Sequence, residues 1–104
     1  MPRVKYTYQD YPQMFHLLEE RIYARRREKR LSQDAVAIRT GLTRNCIQQM
    51  ECYEHLPQFD TLFELMNVLE FGEKEIEAFW SAYYAAYFAD KARRRKREEE
   101  LAPV

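Results

Sequence analysis

The spacing of apolar residues along the chain predicts helices over most of its length. Phe15, Leu18 and Ile22 recur at intervals of three and four, the spacing of one helix face, and predict a first helix over residues 13–29. Similar spacing predicts a fourth helix over about residues 61–69, which Gly72 would end. A last helix is predicted over residues 73–100, with aromatic residues at the same intervals.

Two short helices joined by a tight turn are predicted in the middle of the chain. Ser32 is a suitable N-cap for a helix over residues 33–40, and Gly41 can end that helix in the left-handed conformation. Thr43 is a suitable N-cap for a second helix over residues 44–52. The apolar residues predicted to face the core here are Val36, Ala37, Leu42, Ile47 and Met50.

The second of these short helices has a polar outward face of four residues, Arg44, Asn45, Gln48 and Gln49. All four side chains carry hydrogen-bond donors and none is acidic. An α-helix fits the major groove of B-DNA, where Arg can bond guanine O6 and N7 and Asn or Gln can bond adenine N6 and N7. The pattern is typical either of a DNA-reading helix or of an ordinary solvated face.

The same stretch resembles the helix-turn-helix of the phage repressor and Cro family of transcriptional regulators (XRE type). That pattern is a Ser-Gln pair, an aliphatic residue before Ala, a Gly-aliphatic-Thr turn, an inward Ile and a closing Glu. The resemblance covers about residues 17–69. In this chain the pattern appears as Ser32-Gln33, Val36-Ala37, Gly41-Leu42-Thr43, Ile47 and Glu51.

The resemblance implies an all-α fold, a five-helix lambda-repressor-like DNA-binding domain, here with an extended C-terminal helix. Residues 13–71 would form the helix-turn-helix domain. Outside the resemblance, residues 1–12 are expected to form an N-terminal arm and residues 72–104 a C-terminal dimerisation helix with a charged tail. The implied function is sequence-specific regulation of transcription on double-stranded DNA, as a repressor that binds a two-fold operator as a homodimer through helix 44–52 in the major groove.

The resemblance also assigns roles to single residues. The residues predicted to read bases are Arg44, Asn45 and Gln49, with Gln48 on the same face. The resemblance makes Gln33 and Thr43 phosphate contacts, and the basic run 25–30 at the end of the first helix suggests Arg27 and Arg30 as two more. That run is also consistent with a solvated helix end. Arg26 and Glu51 correspond to a partly buried ion pair that holds the reading helix in place.

The last helix is broad and aromatic. One side is expected to pack on the first and fourth helices, and the other to pair with the same helix of a second copy. Complete burial within one chain is the alternative. A membrane-surface helix is disfavoured, because no basic stripe runs along the length of this one. The residues predicted for the dimer interface are Phe79, Trp80, Tyr83, Tyr84, Tyr87 and Phe88.

The N-terminal arm alternates Tyr6, Tyr8 and Tyr11 with polar residues, and Arg3 and Lys5 lie nearby. Three roles fit this pattern: a tail packed on the core, a strand that pairs with a partner chain, or an arm that contacts DNA. The sequence does not separate them.

Charge adds a second hypothesis about function. The net charge is zero, but residues 1–58 carry ten Lys and Arg against seven Asp and Glu, and residues 59–104 carry seven against ten. The basic excess therefore lies in the half with the helix-turn-helix. Glu54, however, follows Glu51 where a basic residue is usual in the family. The alternative is a protein-interaction adaptor that keeps the fold but binds DNA weakly.

Other chemistry is poorly represented in the sequence. Cys46 and Cys52 lie on different sides of one predicted helix, so they cannot form a disulfide with each other there. No Cys/His cluster has zinc spacing. We predict no enzymatic activity, no cofactor and no metal, because no catalytic set and no phosphate-cradling loop occurs. No signal peptide or membrane-spanning run is found, so a cytoplasmic protein with no membrane partner is expected. The sequence does not identify a small-molecule effector.

Overall fold

A computed structural model of the chain describes residues 6–101, and this part is all-helical, without a strand. The first helix, α1, covers residues 12–28 and consists of Pro12–Leu18, a π-helical turn Glu19–Tyr23, and Ala24–Glu28. The other four helices are α2 (Gln33–Thr40), α3 (Arg44–Glu51), α4 (Phe59–Val68) and α5 (Glu73–Leu101). The predicted all-α class with a long C-terminal helix is confirmed. Arg3 and Lys5 of the predicted N-terminal arm, and residues 102–104 of the predicted C-terminal segment, lie outside the described residues.

Local capping explains where α2 and α3 begin. The backbone N–H of Ala35 donates to Ser32 Oγ over 3.0 Å, and the N–H of Cys46 donates to Thr43 Oγ1 over 3.1 Å. Each bond satisfies one of the N–H groups that a helix start leaves free. Gly41 has φ 76° and ends α2 in the left-handed conformation. The predicted turn is confirmed, and α3 ends one residue earlier than predicted.

Three further helices end in a left-handed residue that is not glycine. Arg30, Tyr53 and Glu70 have φ values of 55°, 64° and 60° and follow α1, α3 and α4. In each case the next residue donates its N–H back into the helix, as Phe71 does to Met66 O over 2.9 Å. The prediction that Gly72 ends the fourth helix is therefore wrong. The left-handed Glu70 ends it, because the Phe71 N–H then bonds back to Met66 O.

This geometry makes a stability prediction. Replacing Glu70 with Gly should raise the free energy of unfolding by about 1 kcal/mol, because a side chain in the left-handed region costs about 1–2 kcal/mol and glycine does not pay it. The loss of an exposed ion pair with Lys29 subtracts little from this gain. Urea unfolding measures the change. Glu70→Ala is the control, because it removes the same carboxylate but keeps a Cβ; equal stability of the two variants would contradict the explanation.

The core is built from buried residues of all five helices, and α5 packs against α1. Phe79 of α5 is completely buried there, with Leu18 and Ile22 of α1 beside it in the same cluster. Phe79 was predicted for the dimer interface, and this assignment is wrong: a side chain with no exposed surface belongs to the core of the single chain. The other buried members are Tyr23, Val36, Ala37, Ile47, Met50, Leu62, Leu65, Met66 and Leu69.

The described part of the arm packs against α5. Tyr11 is completely buried, and its ring stacks on that of Tyr87 with 6.1 Å between centroids. Arg97 donates to Asp10 over 2.9 Å, and this hydrogen bond lowers the pKa of Asp10 below its usual value. Arg93 donates to the backbone oxygen of Gln9 over 3.1 Å. Residues 6–11 therefore adopt the first of the three arrangements considered, a tail packed on the core.

Candidate nucleic-acid interface

The polar face of α3 is open to solvent, while its opposite face is buried. Ile47 and Met50 lie in the core, and Asn45 and Gln48 are exposed. Arg44 leaves 65% of its side chain exposed, and its Nε lies 3.8 Å from Asp34 Oδ1 of α2. An exposed pair at this distance contributes little, so the Arg44 guanidinium can exchange Asp34 for another acceptor.

Gln49 differs from the other three residues of the predicted reading face. Its side chain is only half-exposed, and its Oε1 lies 3.3 Å from His55 Nε2 in the loop after α3. The other imidazole nitrogen, Nδ1, lies 3.4 Å from Leu56 O. The Gln49 oxygen would therefore have to leave His55 before the amide could hold adenine N6 and N7 together, although its NH2 group remains free to donate. Arg44, Asn45 and Gln48 are the more exposed residues of this face.

A bidentate ion pair connects α1 to the end of α3. Arg26 Nε donates to Glu51 Oε2 over 2.7 Å, and Arg26 Nη2 donates to Glu51 Oε1 over 2.8 Å. The side chains are 14% and 8% exposed, respectively. Arg26 Nη1 also donates to Leu31 O over 2.8 Å. Two parallel bonds restrict rotation as well as distance, so this pair fixes the position of α3 relative to α1.

Two of the predicted phosphate contacts are engaged inside the protein. Gln33 Nε2 donates to Glu51 Oε1 over 3.4 Å, so its amide extends the network around that carboxylate. Arg27 pairs with Glu19 on the surface of α1, and its Nη1 lies 3.9 Å from Glu51 Oε1. These two side chains are positioned by intramolecular partners, and a phosphate would have to compete with them.

The other two predicted phosphate contacts are free to donate. Thr43 Oγ1 accepts the N–H of Cys46, which leaves its hydroxyl proton available beside the start of α3. Arg30 is exposed at the end of α1 and forms no ion pair with any residue between 6 and 101. The helix start also leaves backbone N–H groups that favour an anion.

Sequence reasoning missed two groups beside this face, Asp34 and His55. Both reach it across a turn or a loop, and neither has a periodic signal in the sequence. A groove of about 790 Å³ adjoins His55, between Tyr6, Cys46 and Pro57. Cys46 is half-buried and Cys52 is exposed, and neither forms a disulfide with the other.

Comparison with known proteins gives no relative. No family model, no curated protein and no solved structure matches the chain. The resemblance to the repressor and Cro pattern therefore rests on the residues themselves.

In the part of the chain from Tyr6 to Leu101, no cluster of three or more His, Cys, Asp or Glu side chains has a metal-binding arrangement. In the same range, each helix is too short or too polar to cross a membrane.

Proposed function

We propose that this chain is a sequence-specific, double-stranded-DNA-binding regulator of transcription that acts as a repressor in a homodimer. The observation that carries the proposal is the exposed, donor-rich face of α3, which contains no acidic residue. The Arg26–Glu51 pair supports the same function, because a reading helix must keep a fixed angle to the rest of the domain.

In the proposed complex, α3 enters the major groove. The Thr43 hydroxyl and the free N–H groups at the start of α3 bind a phosphate and set the depth of the helix. Arg44 exchanges Asp34 for guanine O6 and N7, while Asn45 and Gln48 bond adenine. Two copies would place their reading helices about 34 Å apart, one turn of B-DNA, on a two-fold operator.

Selection of bound duplexes from a random pool tests the proposal and yields the operator. Arg44→Ala should then lower the preference for the selected site over a scrambled duplex by about tenfold or more, since a bidentate contact contributes about 1–3 kcal/mol of discrimination. Fluorescence anisotropy at several salt concentrations measures both affinities. Arg21→Ala is the matched control: it removes the same charge from an exposed position on α1, beside Phe71 and Lys74.

The control should keep the preference and change only the overall affinity slightly. If Arg44→Ala and Arg21→Ala have the same effect, Arg44 does not read a base. If selection enriches no sequence at all, the DNA-binding proposal fails.

A protein-interaction adaptor is the second candidate, and two observations favour it. Phe59 and Phe63 of α4 expose their rings next to Trp80, a surface typical of protein contacts. Glu54, just after α3, is exposed and would repel a phosphate. The salt series separates the candidates: a regulator loses affinity for DNA steeply as salt rises, whereas an adaptor has no specific affinity to lose.

A further inference from the structure

One stripe of residues along α5 is acidic at its N-terminal end and basic at its C-terminal end, with Tyr84 at its centre. Acidic residues lie eleven and seven positions before Tyr84, and basic residues lie seven and eleven positions after it. Aromatic residues lie four positions to either side. Separations of four, seven and eleven keep side chains on one face of an α-helix. In chain order the stripe is Glu73, Glu77, Trp80, Tyr84, Phe88, Lys91 and Arg95.

The centre of this stripe is apolar and exposed. Tyr84 leaves 67% of its surface in solvent and Phe88 leaves 53%. These rings contact each other, with 4.9 Å between centroids, and they lie on the side of α5 away from Phe79 and the core. Adjacent exposed aromatic rings of this size usually mark an interaction site.

The charges at the two ends of the stripe have no partner among residues 6–101. Glu73, Glu77, Lys91 and Arg95 take part in no ion pair there. The basic residues on the neighbouring side of α5 do have partners: Arg93, Arg94 and Arg97 donate hydrogen bonds to the N-terminal arm. The stripe therefore carries charge that the single chain does not use.

An apolar groove runs beside the stripe. It has a volume of about 450 Å³, and its lining side chains include Phe59, Phe63, Trp80 and Tyr84. Within it, the Trp80 ring lies 4.7 Å from the ring of Phe59 and 5.1 Å from that of Phe63. The groove is large enough for an aromatic side chain from a helix packed along α5.

We propose that α5 pairs antiparallel with α5 of a second copy, about a two-fold axis through Tyr84. This symmetry places Glu77 opposite the partner's Lys91 and Glu73 opposite the partner's Arg95. It also places Phe88 over the partner's Trp80, at the mouth of the aromatic groove. The paired segment, residues 73–95, is about 33 Å long. The two-fold symmetry places two charge pairs at each end of its aromatic centre.

Charge complementarity selects this occupant and this direction. A parallel pair would place Glu beside Glu at one end and Lys or Arg beside its like at the other, which is unfavourable. A second copy in the antiparallel direction matches all seven positions of the stripe. The pairing rests on the homodimer part of the proposed function, and it specifies how that dimer is built.

Two double charge reversals test the pairing. Glu73→Lys/Glu77→Lys makes both ends of the stripe basic, and Lys91→Glu/Arg95→Glu makes both ends acidic. Sedimentation equilibrium without DNA should show a dimer for the parent chain and, for each variant alone, a dissociation constant about 30-fold or more higher at low salt, because four attractive pairs become repulsive. An equal mixture of the two variants should form a heterodimer.

A matched control separates position from total charge. Glu28→Lys/Glu100→Lys changes the net charge as much as the acidic-end variant, at exposed positions outside the stripe, and should dimerise like the parent. Circular dichroism checks that every variant is folded. A monomeric parent, reversal variants that dimerise like the parent, or a mixture that stays monomeric would each overturn the pairing. Because no DNA is present, these outcomes are independent of whether α3 reads bases.

Discussion

Glu51→Ala is expected to lower the free energy of unfolding by about 3 kcal/mol, because it breaks a nearly buried ion pair. Glu51 accepts two bonds from Arg26 and one from Gln33, and its side chain is nearly buried. Its removal leaves the guanidinium of Arg26 charged, poorly solvated and bonded only to Leu31 O. Urea unfolding, followed by circular dichroism, measures the loss.

A second pair of substitutions distinguishes the charge from the packing. Arg26→Met/Glu51→Leu removes both partners and should recover most of the loss, because no unpaired charge remains. Glu54→Ala is the control: the residue is exposed in the loop after α3 and should change stability by less than about 0.5 kcal/mol. If Glu51→Ala costs no more than Glu54→Ala, the ion pair does not support α3.

Asp90→Ala should lower the free energy of unfolding by about 2 kcal/mol, because the Asp90 carboxylate of α5 caps the start of α1. Asp90 is completely buried on α5, and its carboxylate accepts the N–H groups of Gln13 and Met14 over 3.3 and 3.1 Å. These two N–H groups lie in the first turn of α1. Tyr11, the residue before that helix, forms no side-chain cap. A lost cap costs about 0.5–2 kcal/mol, and a buried N–H without a partner about 1–3 kcal/mol.

Two variants test this assignment. Asp90→Asn keeps one carbonyl oxygen and should lose about half as much stability as Asp90→Ala, because a single acceptor remains. Glu99→Ala changes an exposed residue of the same helix and should leave stability within about 0.5 kcal/mol of the parent. Thermal unfolding compares all three. Similar midpoints for Asp90→Ala and Glu99→Ala would show that the carboxylate does not cap α1.

Local chemistry explains why the turn between α2 and α3 could be predicted so closely. Ser32, Gly41 and Thr43 act on backbone groups within four residues of themselves, so neighbouring sequence contains the whole interaction. The ends after α1, α3 and α4 had no such signal. Tyr53 takes the left-handed conformation there, with its ring stacked 5.0 Å from that of Tyr8. Packing across the chain compensates for a conformation that its residue type does not favour.

The candidate site could be predicted in part. The outward position of Arg44, Asn45 and Gln48 follows from the inward position of Ile47, since both come from one helical period. The contact of Gln49 with His55 and that of Arg44 with Asp34 do not follow from it. They depend on how a loop and a second helix fold back onto α3.

The sequence alone determined the helices, the caps at the starts of α2 and α3 with the Gly41 turn between them, and the stripe of α5 with its reversal of charge about Tyr84, because each depends on helical periodicity or on near neighbours in the chain. Only the tertiary structure decided which side of that broad aromatic helix is buried. Phe79 faces the core and Tyr84 faces solvent because α1 packs along one side of α5. The same packing brings Asp90 to the start of α1, 76 residues away in sequence from Met14, a distance over which no local pattern carries information.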